Sequence, residues 1–108
     1  MVTEGEKDMS VAGTWNLTIA TPVGRQDVVL ELSERDGALH GTARGRAETV
    51  PLVDLVQNGN RLTWRQAITR PLRLNLAFDV TVDADTLTGV SKAGRLPSSP
   101  VTGTRVGP

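Results

Sequence analysis

The sequence predicts an all-β protein, an antiparallel up-and-down eight-stranded β-barrel of one domain. Three observations carry this. Valine and threonine each occur 13 times in 108 residues, and β-branched side chains favour a pleated, half-buried surface. Eight short segments alternate apolar and polar residues, near 12–20, 26–33, 38–44, 48–56, 61–69, 72–82, 87–92 and 100–106. Between them lie turn-forming stretches such as ERDG (34–37), QNGN (57–60) and DADT (83–86), the spacing of a sandwich or barrel. No stretch of ten residues carries the i, i+3, i+4 pattern of a helix.

The clearest strand is LRLNLAFDVTV, residues 72–82. Leu72, Leu74, Leu76, Phe78, Val80 and Val82 share one face, and Arg73, Asn75, Ala77, Asp79 and Thr81 the other. Such a strand has one dry side and one wet side. The preceding segment matches it, with Leu62, Trp64, Gln66 and Ile68 opposite in phase to Arg61, Thr63, Arg65 and Ala67. Joined at Arg70-Pro71, the two make a hairpin whose inner face carries Trp64 near Phe78.

A short pattern recurs as LHGT (39–42), LTGV (87–90) and VTGT (101–104). A two-residue turn at Asp36-Gly37 sets Leu39, Gly41 and Ala43 inward, and the same counting sets Leu87 and Gly89 inward. A glycine inside a strand marks a bend, a bulge or a close approach. These three either allow the curvature that closes a barrel or shape a cavity.

The composition sets bounds on function. A 108-residue chain is a single domain with room for one core. It contains no cysteine, which removes disulfides, thiolate metal sites and a cysteine nucleophile. Twelve basic and twelve acidic residues cancel, so no global field attracts nucleic acid or an anionic membrane. The opening MVTEGEKDMS is polar and lacks the apolar run of a secretory signal. Residues 1–10 read as a disordered arm and 11–108 as the barrel domain of a soluble cytoplasmic protein with no membrane contact.

Gly13-Thr14-Trp15 opens the first strand, DGALHGT (36–42) follows one hairpin later, and VTGTRV (101–106) ends the chain with Arg105. Together these resemble the calycin-like barrels, the lipocalins and avidins, and in size the small bacterial barrels built from (D/N)G-x-L-x-G hairpins. The resemblance implies that Trp15 plugs the closed end of the barrel and that Arg105 covers it. The chain has no tyrosine and only one further tryptophan, so biotin binding is not carried over.

The candidate site follows from the inner face. Trp64 and Phe78 are its aromatic walls and Gln66 its best inward polar group, able to orient a ligand or to bond a neighbouring backbone group. Asp54 is the best catalytic candidate. A two-residue turn at Asn58-Gly59 sets Val53 opposite Trp64 and turns Asp54 outward. A three-residue loop with a bulge brings Asp54 inside beside Trp64, where an apolar setting raises a carboxyl pKa and suits it to acid–base work. Glu31 and Glu48 are further carboxylates, read as exposed. His40, the single histidine, points outward, and no carboxylate cluster has metal-ligand spacing.

Arginines outnumber lysines ten to two, with Arg44, Arg46, Arg61, Arg65, Arg70 and Arg73 in the middle of the chain. Binding a nucleic-acid strand along them needs exposed aromatic platforms, which the inward Trp64 and Phe78 do not supply. Small or apolar outer positions, Val29, Ala67 and Ala77, suit a homodimer.

Three functions stay open. The first is a binding module for an apolar small molecule, with Trp64, Phe78, Gln66 and Asp54 around it and no cofactor or metal. The second is a cofactor-free isomerase, cyclase, hydratase or lyase using a buried carboxylate. The third is an interaction domain with a filled core.

Overall fold

A computed structural model describes residues 11–21, 24–46, 48–69 and 73–106. The expected arm at 1–10, the turn at Arg70-Pro71 and Leu72 lie outside them. Nine strands follow one another: β1 (Gly13–Thr21), β2 (Gly24–Arg35), β3 (Ala38–Arg44), β4 (Thr49–Pro51), β5 (Val53–Asn58), β6 (Arg61–Ile68), β7 (Leu74–Asp83), β8 (Thr86–Ala93) and β9 (Ser99–Arg105). They form one antiparallel sheet in the order β4-β3-β2-β1-β9-β8-β7-β6-β5. Consecutive strands are neighbours throughout, apart from the β1–β9 pairing and the step from β4 to β5. No helix occurs among the described residues.

The expected fourth strand, 48–56, is broken at Leu52. Its first part, β4, pairs with β3, and its second part, β5, pairs with β6. One run of chain therefore supplies both edges of the sheet, and this nearly closes the barrel. The Leu52 N–H donates to the Gly41 carbonyl at 2.9 Å, extending the β3–β4 ladder to the break. On the other side of the seam, Glu48 accepts from the Thr69 N–H at 2.6 Å and its hydroxyl at 2.8 Å. That carboxylate ties the start of β4 to the end of β6.

The hairpins follow local chemistry. Asp36 and Gly37 both have positive φ, 53° and 79°, as a type I′ turn requires, and Arg35 stands opposite Ala38. Between β5 and β6 the loop is Gly59-Asn60, with Asn58 opposite Arg61. Gly59 has φ 66°, the glycine-first pattern of a type II′ turn. The sequence places this turn one residue too early, because Asn-Gly and Gly-Asn are both strong two-residue turns.

Alternation sorts the side chains as the leucine-rich strand implies. Leu62, Trp64 and Gln66 on β6 and Phe78, Val80 and Val82 on β7 are buried. Leu17, Leu30, Ala43, Leu87 and Val101 bring the other strands into the same cluster. The three recurrent glycines all lie where a neighbour fills the Cβ position. A Cβ on Gly89 would stand 2.1 Å from the Asp79 carbonyl oxygen and 2.5 Å from the Val80 Cα. At Gly41 it would meet Leu32 and Leu52, and at Gly103 it would meet Leu17. The glycines serve close strand approach and curvature, not an open cavity.

One end of the barrel is sealed by Trp15, which has no exposed surface. Its indole N–H donates to the Val11 carbonyl at 3.0 Å. The Arg105 guanidinium lies over the ring, its carbon 4.4 Å from the ring centre. A cation on an indole face is attracted by the ring quadrupole, by ~0.5–2 kcal/mol.

Candidate functional site

The wall formed by β6, β7 and β8 brings three of the four sequence-derived site residues together. Trp64 stands opposite Phe78 in the ladder, and their rings stack with centroids 4.8 Å apart and planes 8° from parallel. An aromatic pair of this kind adds ~0.5–1.5 kcal/mol beyond its buried area. Gln66, two residues on and on the same face, accepts the Trp64 indole N–H through Oε1 at 3.0 Å. The indole nitrogen can only donate, which fixes the amide orientation. The Gln66 Nε2 makes no hydrogen bond to a described residue, and it is not among the buried polar atoms left without a partner. Its NH2 is therefore within reach of solvent.

Burial falls away along this wall. Trp64, Phe78 and Gln66 are 2%, 3% and 5% exposed. Further along the same inner faces, Ile68, Leu74, Leu76 and Ala93 are only half-buried. The wet end of the barrel is thus where β6 runs out and β7 begins, opposite to the end that Trp15 seals. Ser91, buried and opposite Phe78, is a second inward polar group there. Continuing the Leu87, Gly89 alternation by one step identifies it in the sequence.

Asp54 does not join this group. The alternative that places it inside beside Trp64 is corrected by the register: Val53 stands opposite Arg65 and Val56 opposite Thr63. Asp54 and Leu55 together face Trp64 across the ladder, a β-bulge, with Asp54 at φ 55°. The bulge turns Leu55 inward and Asp54 outward. Val53 does not face Trp64 either. The Asp54 side chain is 60% exposed and forms an ion pair with Arg65 on the outer surface. An exposed, arginine-paired carboxylate on the outer surface is out of reach of anything held inside the barrel.

The remaining candidates are also placed. Glu31 is exposed, and Glu48 is half-buried and engaged by Thr69. His40 is exposed, opposite Ser33 on β2. Of the suggested dimer positions, Ala67 and Ala77 are exposed and Val29 is half-buried. Arg61 reaches Asp79 with two nitrogens, at 2.9 and 2.6 Å. The hydrogen bond that it donates is the main reason that the Asp79 carboxyl is held below its ordinary range. Among the described residues no three His, Asp or Glu side chains stand together as a metal site. No helix among them is long and apolar enough to cross a membrane.

The middle of the barrel is packed. Leu17, Leu30, Leu62, Val80, Leu87 and Val101 have exposures of 2% or less, so almost none of their surface is left to water. A concavity of about 550 Å³ lies on the outside instead, over Val56, Arg65, Ala77, Val90 and Lys92. Comparison with protein-family models, with curated proteins and with solved structures finds no match. Fold and site together define the class: an all-β barrel with one sealed end and one wet end.

Proposed function

We propose that the chain is a small-molecule-binding barrel that takes an apolar ligand at its wet end. The observation that carries the reading is the Gln66 amide. Trp64 occupies its oxygen, so its NH2 is the donor left to orient a ligand. Around it Leu74, Leu76, Ile68 and Ala93 offer apolar contact that is only partly used. An apolar wall with one convergent polar group is the common make-up of a small-molecule site. The acid–base reading loses its best candidate, since Asp54 is on the outer surface.

The packed middle of the barrel favours a second reading, a filled-core interaction domain. One titration separates the two. The two indole N–H resonances report the two ends of the barrel independently. Apolar small molecules added to the full chain should move the Trp64 indole and Gln66 amide signals, leave that of Trp15 in place, and raise the unfolding temperature. A panel that moves neither indole and leaves the melting curve unchanged decides for the filled core.

A further inference from the structure

Two groups of three among the ten arginines differ in their partners. Arg61, Arg65 and Arg105 each pair with a carboxylate, on Asp79, Asp54 and Asp85. Arg25, Arg44 and Arg46 make no ion pair or hydrogen bond with a described residue, and all three line one concavity of about 610 Å³. It lies over the outer face of β1, β2 and the end of β3. The ladder places Arg44 beside Val29 and Val29 beside Asn16, so Arg44 stands over an outward strip of Val29 and Asn16. Arg46 follows on a turn closed by the Gly45 N–H donating to the Glu48 carbonyl at 2.9 Å. Arg25 comes from the start of β2. The one carboxylate in the lining, Asp27, is within hydrogen-bond reach of the Thr18 hydroxyl, at 3.3 Å.

We propose that this concavity binds a compact organic polyanion, a small molecule carrying a diphosphate or two neighbouring phosphates. Three unpaired guanidinium groups against one carboxylate give the lining a net positive charge, which attracts an anion. The planar guanidinium fork matches phosphate oxygens two at a time. The size falls within the ~300–1,000 Å³ range of small-molecule clefts. On that outer face Val29 gives the body of the ligand an apolar footing, and Asn16 and Thr18 add neutral polar groups. A nucleic-acid strand fits less well: the lining contains no aromatic side chain on which bases could stack. The site lies on the outer surface, separate from the barrel end discussed above, and does not depend on it.

The test uses inorganic pyrophosphate, with inorganic phosphate and sulfate as weaker comparators, added at constant ionic strength to the full chain. Backbone resonances of residues 24–29 and 44–46 should shift saturably with pyrophosphate, and less with the monomeric anions. Arg44→Gln should weaken binding by about tenfold, the loss of one charged hydrogen-bonding partner. Arg44→Lys, which keeps the charge but not the fork, should fall between. Arg73→Gln, outside the concavity, should leave the affinity unchanged. All the variants are at exposed positions, so folding is not at issue, and the retained spectrum verifies it. Absence of saturable shifts overturns the proposal. So does equal weakening by Arg73→Gln, which means diffuse charge attraction, and so does tighter binding of a single-stranded oligonucleotide than of pyrophosphate.

Discussion

Arg105 holds its guanidinium carbon 4.4 Å from the centre of the Trp15 ring while donating to the Ala12 carbonyl at 2.8 Å and to the Asp85 carboxylate at 3.0 Å. One side chain of the last strand thereby binds the segment before β1 and the β7–β8 turn. Trp15→Ala should destabilise the chain by ~3–5 kcal/mol as a core truncation. Arg105→Gln should lose ~1–3 kcal/mol, because it removes the ring contact and leaves the Ala12 carbonyl without its charged donor. Arg105→Lys keeps the charge but not the fork and should fall between wild type and Arg105→Gln. Urea titration followed by circular dichroism measures all three, and a wild-type midpoint for Arg105→Gln would show that the lid is dispensable.

The glycines of the three-fold pattern should differ in their sensitivity. At Gly89 the atoms in the way are backbone, the Asp79 oxygen and the Val80 Cα, and neither can move without breaking the β7–β8 ladder. At Gly103 the nearest atom is the Leu17 Cδ2 at 2.5 Å, the end of a side chain that can change rotamer. Gly103→Ala should therefore cost ~1–3 kcal/mol, the usual range for overpacking, and Gly89→Ala more than that. The order of their unfolding midpoints is the measurement, and a milder Gly89→Ala contradicts the close-approach account.

Much of the fold is legible in the sequence where contrast between faces is strong. Leu62 to Gln66 and Phe78 to Val82 alternate so sharply that only one register buries them, since a slip by one residue would expose the whole set. Three of the site residues, Trp64, Phe78 and Gln66, come with that register. The stretch TVPLVDLVQN is different. Its apolar residues fall on both parities, so alternation does not determine where the chain leaves β3 for β6. The break at Leu52 and the bulge at Asp54 are set by closure of the sheet, a demand made by strands far away in sequence. Whether the interior is hollow depends on how Trp15, Trp64 and the leucines fill a volume, which no single strand specifies.

Asp54 offers a direct check on that bulge. Its φ of 55° is a conformation that asparagine and glycine adopt readily and β-branched residues do not. Asp54→Asn loses only an exposed ion pair, worth ~0–1 kcal/mol. Asp54→Val should be clearly less stable than Asp54→Asn, by ~1–2 kcal/mol for the left-handed backbone. Equal stabilities would mean that the residue is in extended geometry and that the register is regular.

The Arg61–Asp79 pair sets a pH dependence. The folded-state pKa of Asp79 lies below its ordinary value, chiefly through the hydrogen bond from Arg61. A lowered carboxyl pKa contributes stability above the unfolded-state pKa and loses it as pH falls through the folded one. Wild type should therefore lose more stability than Asp79→Asn between neutral pH and the acidic side of the carboxylate range. The difference should stay within ~1 kcal/mol, because the Asp79 side chain is 44% exposed and solvent screens the pair. Parallel stability curves for the two proteins would remove the proposed linkage.

Trp64 and Gln66 should behave as a unit. Gln66→Leu leaves the buried indole N–H without its acceptor, at a cost of ~1–3 kcal/mol. Trp64→Phe removes the donor but opens space beside Phe78, a core loss of its own. In the double variant the orphaned donor is gone, so the combined destabilisation should be smaller than the sum of the two single ones. Contacting residues in one hydrogen-bonded pair typically show ~0.5–3 kcal/mol of such coupling. A double-mutant cycle by urea unfolding gives the number directly. Strict additivity would place Gln66 outside the Trp64 bond, and would free its oxygen as well as its NH2 for a ligand.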